Sequence, residues 1–329
     1  MNMTGGEHIV AADIGGTHAR FAKAALHADG SIILDEPLVL KTSDFAGLSD
    51  AWQAYLAQTD DPAPAGASLA VAGPVGSGAF KLTNNNWTFE PANLAAQLGT
   101  PRVTLLNDFA AVAHAAASDP SRAHLSHLAG PDDWCAPHER VAVIGPGTGL
   151  GIAHYCLIEG KPLIQATEGA HIDFAPVDAV DDALLARLRG KFARVSLERV
   201  VSGAGIADIY AVLAEQLGEE PLLTEALDIW QMGQSGADPL AAQAIAHFIK
   251  TLGRAAGDYA LAHGSSAIVI AGGLGQRLQE QLTAPEFHAA FLDKGRYRSM
   301  MEAIPIKLIT HAQPGLLGAA AAFANEYSL

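Results

Sequence analysis

Three glycine-rich turns each follow a short apolar run. The first is Asp13-Ile14-Gly15-Gly16-Thr17, after Ile9-Val10-Ala11-Ala12. A diglycine lets backbone amides approach a ligand closely, so Gly15, Gly16 and the Thr17 hydroxyl suit a phosphate. Asp13, at the strand end, can organise Mg²⁺ through water, because Mg²⁺ keeps much of its hydration. A plain hairpin turn with a solvated aspartate fits the same residues. The second turn is Gly145-Pro146-Gly147-Thr148-Gly149-Leu150-Gly151, after Val141-Ala142-Val143-Ile144. Glycine at every second position weakens a strand. Amides of Gly145, Gly147 and Gly149, with the Thr148 hydroxyl, facing a phosphate explain it better than packing; a structural bend is the alternative. The third, Ala271-Gly272-Gly273-Leu274-Gly275, ends the run Ile268-Val269-Ile270. Gly272 and Gly273 leave room for a flat adenine or a ribose, or else allow tight strand-to-helix packing. None of these turns has the Gly-x-Gly-x-x-Gly spacing of a dinucleotide fold, and no Gly-x-x-x-x-Gly-Lys-[Ser/Thr] loop occurs.

Polar residues elsewhere add chemistry. Asp108 follows the run Val103-Thr104-Leu105-Leu106, where a helix is predicted to begin at Phe109. A carboxylate at a helix N-terminus is stabilised as the anion and can still take a proton. It can equally cap the helix. Asn107 offers both donor and acceptor. Glu168 and His171 stand three apart and read either as ligands or as a surface pair, with no third ligand at metal-site spacing. Cys135 and Cys156 read as ordinary buried thiols. The basic run Arg187, Arg189, Lys191 and Arg194 reads as a solvated face, and Met300-Met301 as packing.

The elements that position these residues alternate. After the first strand, Arg20–Ala25 and Ser31–Leu40 read as strands, and Asp44–Gln58 as a helix capped by Asp44. Strands follow at 68–72, 80–83 and 103–106. Strands at 141–144 and 152–158 then form a hairpin around the second turn. Helices dominate from Asp181 to Gly264; the clearest has Asp238 as cap, Pro239 first and Gly264 as stop. A strand at 306–309 and a helix at 315–326 close the chain. Strand, glycine turn and second strand thus occur twice, each time leading into a mixed α/β region.

Together the three turns resemble the two phosphate motifs and the adenosine motif of the actin and sugar-kinase superfamily. Leu106-Asn107-Asp108-Phe109-Ala110-Ala111, the run Glu168–Pro176, the run Glu198–Gly203, and Pro314-Gly315-Leu316-Leu317-Gly318 narrow this. They resemble the bacterial ATP-dependent glucokinase family, as do Leu82–Trp87 and Asp293–Tyr297. The cysteine cluster of the related zinc-binding repressor/open-reading-frame/kinase group is missing. The resemblance implies an α/β, two-domain, actin-like ATPase (ribonuclease H-like) fold with an interdomain cleft. A small domain would hold 1–118 plus 313–329, and a large one 119–312. It also implies transfer of the ATP γ-phosphate to the 6-hydroxyl of glucose, with ATP and Mg²⁺ as cofactors. Asp108 is then the base, and Asn107, Glu168, His171 and Glu198 contact the sugar. Homodimers are usual in that family.

Composition narrows the rivals. With 20 Lys+Arg against 35 Asp+Glu the net charge is −15, which disfavours nucleic acid and anionic membranes as partners. The start lacks a basic segment followed by an apolar run, and the longest uncharged stretch is broken by glycine and proline. A cytoplasmic location is the expectation. A kinase for fructose, mannose or an N-acetylhexosamine fits the same motifs. A non-catalytic sugar sensor fits less well, since the first strand at Ile9 leaves no room for a DNA-binding helix-turn-helix before it.

Overall fold

The computed structural model describes residues 7–59, 64–73, 75–76, 78–82, 85–118, 123–133 and 139–328. Thr83, Asn84 and Cys135, which fall in segments or positions read above, lie outside them. The chain forms two compact units. The first comprises Met1–His124, Leu157–Ala166 and His311–Leu329, and the second Leu125–Cys156 and Thr167–Thr310.

The first unit begins with β1 (Glu7–Ile14) and β2 (His18–Leu26), paired antiparallel. The stretch expected to form one third strand is two, β3 (Ile32–Leu34) and β4 (Leu38–Lys41), both on β2. Pro37 stands in the gap, where it has no N–H to give a ladder. The helix α1 (Leu48–Thr59) starts four residues after Asp44, so Asp44 is not its cap. Residues Thr42–Asp44 instead form a 3₁₀ turn, fixed by the buried Thr42 hydroxyl, which donates to Gly16 O at 2.7 Å. Next come β5 (Ala67–Val71), the short pair β6 (Phe80–Lys81) and β7 (Thr88–Phe89), α2 (Leu94–Leu98), β8 (Val103–Asn107) and α3 (Asp108–Ser118).

Parallel pairing of β1 with β5 and of β5 with β8 puts Ile14, Val71 and Asn107 level at the strand ends. The stretch Ile9–Ala12 of β1 is apolar because both faces are covered. Val10, Ala12 and Ile14 point into a core with Phe21, Trp52 and Tyr55, whereas Ile9 and Ala11 point into a second core.

The second unit has a six-stranded sheet. Its strands are β9 (Leu125–Ala129), β10 (Arg140–Pro146), β11 (Leu150–Ile158), β12 (Lys161–Thr167), β13 (Ala267–Ile270) and β14 (Ile306–Ile309), in spatial order β12-β11-β10-β13-β14-β9. Here Ile144, Ile270 and Leu308 are level in the parallel ladders β10–β13–β14. Four helices, α4 (Ala179–Arg189), α5 (Gly205–Gln216), α6 (Ala226–Gln234) and α7 (Pro239–His263), precede β13. Short helices α8 (Gly272–Arg277), α9 (Gln279–Leu282), α10 (Pro285–Leu292) and α11 (Arg298–Met301) follow it. Helix α7 is delimited as its sequence predicts. Asp238 accepts from Leu240 N at 2.8 Å and Ala241 N at 2.9 Å, Pro239 opens the helix, and Gly264 closes it at φ 57°. The basic run is not simply solvated: Arg187 and Lys191 pair with Asp208 on α5, and Arg194 with Asp173.

The chain ends in α12 (Pro314–Tyr327), which packs in the first unit on α3 and β1 and supplies Leu316 and Phe323 to the second core of that unit. Small residues set this approach: a Cβ at Gly318 would collide with Ala111 O, and one at Gly315 would lie 2.9 Å from the Asp13 carboxyl.

A buried polar group ties α4 to α7. Asp181 is fully buried and faces His247 Nε2 at 2.8 Å and Arg254 Nη2 at 2.6 Å, and it accepts from Val177 N at 3.1 Å. Burial alone would raise its pKa. The His247 hydrogen bond, the Arg254 charge and the Val177 N–H outweigh burial and hold it below the ordinary aspartate value of 3.8. A carboxylate with a lowered folded pKa gives stability that is present above its unfolded pKa and lost as pH falls through the folded one. Asp181→Asn takes the nearer counter-charge from buried Arg254 and leaves it only Asp178, 3.7 Å away, a change that costs about 3 kcal/mol. Urea denaturation should show that loss in full above about pH 5 and a closing gap in acid. Equal stability of variant and wild type at pH 7 would contradict this account.

Candidate active site

In the first unit the candidate residues gather at the level ends of β1, β5 and β8. Gly15 N donates to His18 O at 2.9 Å, closing the turn that holds Gly15, Gly16 and Thr17. Gly16 O accepts from the Thr42 hydroxyl at 2.7 Å and from Asn85 Nδ2 at 2.9 Å, so this turn is fixed from behind. Asn107 Nδ2 reaches Gly73 O, 3.1 Å away, across to the end of β5. Asn107 Oδ1 accepts from Phe109 N at 2.9 Å and Ala110 N at 3.1 Å. The side chain that caps α3 is therefore Asn107. Asp108 is the first residue of the helix, half-buried, and its Oδ1 accepts from Phe109 N at 2.8 Å. The capping role that competes with catalysis at Asp108 is already filled by its neighbour.

Asp13 lies one residue before the strand end. Burial pushes its carboxyl above the usual aspartate range, and Arg20, with Nη1 3.7 Å from Oδ2, offsets only part of that shift. A desolvated carboxylate with so distant a counter-charge suits a site that receives a cation.

In the second unit the glycine turn joins β10 to β11, with Gly145 paired to Gly151 and Pro146 to Leu150. Gly147 N donates to Gly149 O at 2.8 Å, and Thr148 is exposed at the tip. Glu198 folds over this hairpin: its Oε2 accepts from Leu150 N at 3.0 Å, and a Cβ at Gly149 would lie 2.5 Å from that oxygen. Gly272 has φ +78°, and a Cβ there would meet Pro146 O at 2.5 Å. Gly149 and Gly272 are thus required by the protein's own packing. Gly147 and Gly273 are not: neither has positive φ, and a Cβ on either would meet nothing within 4 Å. At Gly272-Gly273 both sequence readings hold, one at each residue.

Glu168 and His171 are exposed and 3.7 Å apart, on a 3₁₀ turn from Gly169 to His171. This segment is bonded to the one bearing Glu198, through Leu197 N to Ile172 O at 2.8 Å and Phe174 N to Val195 O at 3.0 Å. The second unit therefore brings together Gly145–Gly149, Gly272-Gly273, Glu168, His171 and Glu198. The first brings together Asp13, Gly15–Thr17, Asn107 and Asp108. Sequence reasoning missed Thr42 and Asn85 behind the first turn. Asn85 sits in the motif Leu82–Trp87, which was a signal, whereas Thr42 had none.

Two α/β units, each placing glycine turns at the ends of parallel strands, are the architecture of the actin-like sugar kinases. A solved glucokinase from an Antarctic psychrotroph superposes with a TM-score of 0.86 at 34% identity, covering 97% of this chain and 99% of that one. A sequence model of the glucokinase family matches residues 10–326, and the chain belongs to that family. It is 46% identical to a glucokinase of Zymomonas mobilis, over 97% of this chain and 98% of that relative. A glucokinase of Balamuthia mandrillaris solved in complex with glucose shares the fold, at 22% identity and a TM-score of 0.78, over 98% and 95% of the two chains.

The Asp13 geometry carries a stability consequence. A carboxylate with a raised folded pKa favours the fold most below its unfolded value and loses that contribution as pH rises through the folded one. Ionised Asp13 therefore costs stability at neutral pH. Asp13→Asn should raise the thermal midpoint of the ligand-free protein at pH 7, with the gain fading toward pH 4. A lowered midpoint at pH 7 would show that Asp13 is a structural carboxylate.

Proposed function

We propose that the chain transfers the γ-phosphate of ATP to the 6-hydroxyl of glucose, giving glucose 6-phosphate and ADP, with Asp108 as the base. Membership of the glucokinase family supports the reaction. The observation that carries the role of Asp108 is that Asn107, and not Asp108, bonds both Phe109 N and Ala110 N at the start of α3. Asp108 stays a carboxylate at a helix N-terminus, where the anion is favoured and can take the hydroxyl proton as attack proceeds.

Each unit supplies its share of the chemistry. Amides of Gly16 and Gly149, with the hydroxyls of Thr17 and Thr148, hold the phosphates, while Gly15, Gly145 and Gly147 shape the two turns, the N–H groups of Gly15 and Gly147 being bonded to His18 O and Gly149 O. Such preorganised donors offset charge that develops on the transferring group. Gly273, open above its backbone, leaves space for the adenosine beside Gly272. Asn107, Glu168, His171 and Glu198 bind the sugar hydroxyls and orient the 6-hydroxyl toward the phosphorus. Asp13 would hold, through water, the Mg²⁺ that accompanies ATP and neutralises phosphate charge. The acting form is a homodimer in the cytoplasm; among the described residues no helix is long and apolar enough to cross a membrane.

Asp108→Asn keeps size and hydrogen bonding but cannot take the proton. Its kcat should fall by about 10²–10⁴-fold with glucose affinity little changed, measured by coupled ADP release and by calorimetry. A near-normal kcat would remove Asp108 from the mechanism. Across a panel of sugars, glucose should be turned over most efficiently. A sugar lacking a matching hydroxyl leaves a polar group unpaired at a cost of about 1–3 kcal/mol, or roughly ten- to hundredfold. Higher kcat/KM for fructose or N-acetylglucosamine would overturn the choice of substrate.

A further inference from the structure

Two buried aromatic side chains behind the site each end in a polar atom. Tyr259 on α7 is 4% exposed, and its hydroxyl donates to Gly169 O at 2.6 Å. Burial, and then the Asp258 charge, push this phenol further above its usual range, so it remains a donor. Gly169 lies between Glu168 and His171. Its carbonyl also accepts from Ile172 N at 3.0 Å, and its N–H donates to the Thr167 hydroxyl at 3.2 Å. A Cβ at Gly169 would stand 3.2 Å from the Tyr259 ring, so the turn rests directly on that ring.

Trp230 on α6 repeats the arrangement under the phosphate turn. It is 8% exposed, stands edge-on to Phe248, and its Nε1–H donates to Gly203 O at 2.9 Å. Gly203 N in turn donates to Gly147 O at 2.7 Å, and a Cβ at Gly203 would lie 3.1 Å from that oxygen. Gly147 N donates to Gly149 O at 2.8 Å within the turn, and a Cβ on Gly147 would meet nothing within 4 Å. Glu198 holds the turn at Leu150 N, and the Gly203 contact, with Trp230 behind it, holds it at Gly147 O.

We propose that Tyr259 and Trp230 are two separate positioning residues of the kinase, Tyr259 for the sugar-contact turn Glu168–His171 and Trp230 for the phosphate turn Gly145–Gly149. Neither touches a substrate. Each fixes one loop through a glycine carbonyl, so each acts first on one substrate, although Glu198 links the two loops. The inference rests on the function proposed above, and that function is tested first by glucose-dependent ADP release from the wild-type protein.

Tyr259→Phe removes one hydroxyl and keeps the ring. Losing one such hydrogen bond is worth about 0.5–1.5 kcal/mol, so the glucose KM should rise roughly two- to tenfold while the ATP KM stays within about twofold. Trp230→Phe should do the reverse, with ADP affinity by calorimetry falling in step. Gly203→Ala presses on Gly147 O without altering Trp230, and Thr167→Val loosens Gly169 without altering Tyr259. They carry the phosphate and sugar arms where an aromatic variant does not fold. A crossed pattern supports the inference, because a merely structural loss would weaken both substrates together. Equal shifts in both KM values for each variant, or no shift in either, would overturn it while leaving the kinase activity standing. No turnover of glucose by the wild type would instead overturn the function, and this inference with it.

Discussion

Parallel strand pairing is the constraint on which the site depends. In one sheet it brings Ile14, Val71 and Asn107 to a common level, and in the other Ile144, Ile270 and Leu308. Parallel strands must be joined by crossovers, so the chain leaves each strand at the same edge. The turns at that edge are the general location of binding sites in α/β sheets. Asp13, Gly15–Thr17 and Asp108 leave the first sheet at this edge; Gly145–Gly149 and Gly272-Gly273 leave the second. A shift of register in β5 or β13 would separate these groups while leaving every side chain intact.

Close backbone approach then decides which residues are glycine. Gly149 admits Glu198, Gly203 admits the Gly147 carbonyl, and Gly272 lies on Pro146 O. Each satisfies the protein's own packing. Gly147 and Gly273 satisfy no internal demand, and that separates residues that build the site from those that leave space within it. The surrounding structure is correspondingly firm. Asp181 fixes the start of α4 to α7 and also takes the Val177 N–H, at the end of the segment that carries Glu168 and His171. Asp13 is the opposite case, a carboxylate whose burial works against the ligand-free fold.

Much of this could be read from the residues. The strands β1, β5, β10 and β13 are apolar runs ended by glycine turns, and β8 and β14 are short, largely apolar runs, so all six were legible, as was α7 from Asp238, Pro239 and Gly264. Two edge strands were not. Strand β9 is Leu-Ser-His-Leu-Ala, and β12 exposes Lys161, Leu163 and Gln165, so neither shows a continuous apolar run. The α1 start was misplaced because the Thr42 contact with Gly16, 26 residues away, holds the preceding turn. The same limit hid the positioning groups. Tyr259 is 90 residues from Gly169 and Trp230 is 27 from Gly203, so no local pattern links them. Asn107 and Asp108 were both legible as candidates, but only hydrogen-bond geometry assigns the cap to Asn107.

The central claim is that Asp108 meets the reacting hydroxyl while the glycine turns meet the phosphates. The most direct measurement is a crystal structure with glucose and a non-hydrolysable ATP analogue bound together. An Asp108 carboxylate oxygen should lie within about 2.6–3.2 Å of the sugar 6-hydroxyl. The amides of Gly16 and Gly149 should lie on phosphate oxygens. A 6-hydroxyl directed away from Asp108, or phosphates held only by side chains elsewhere, would contradict it.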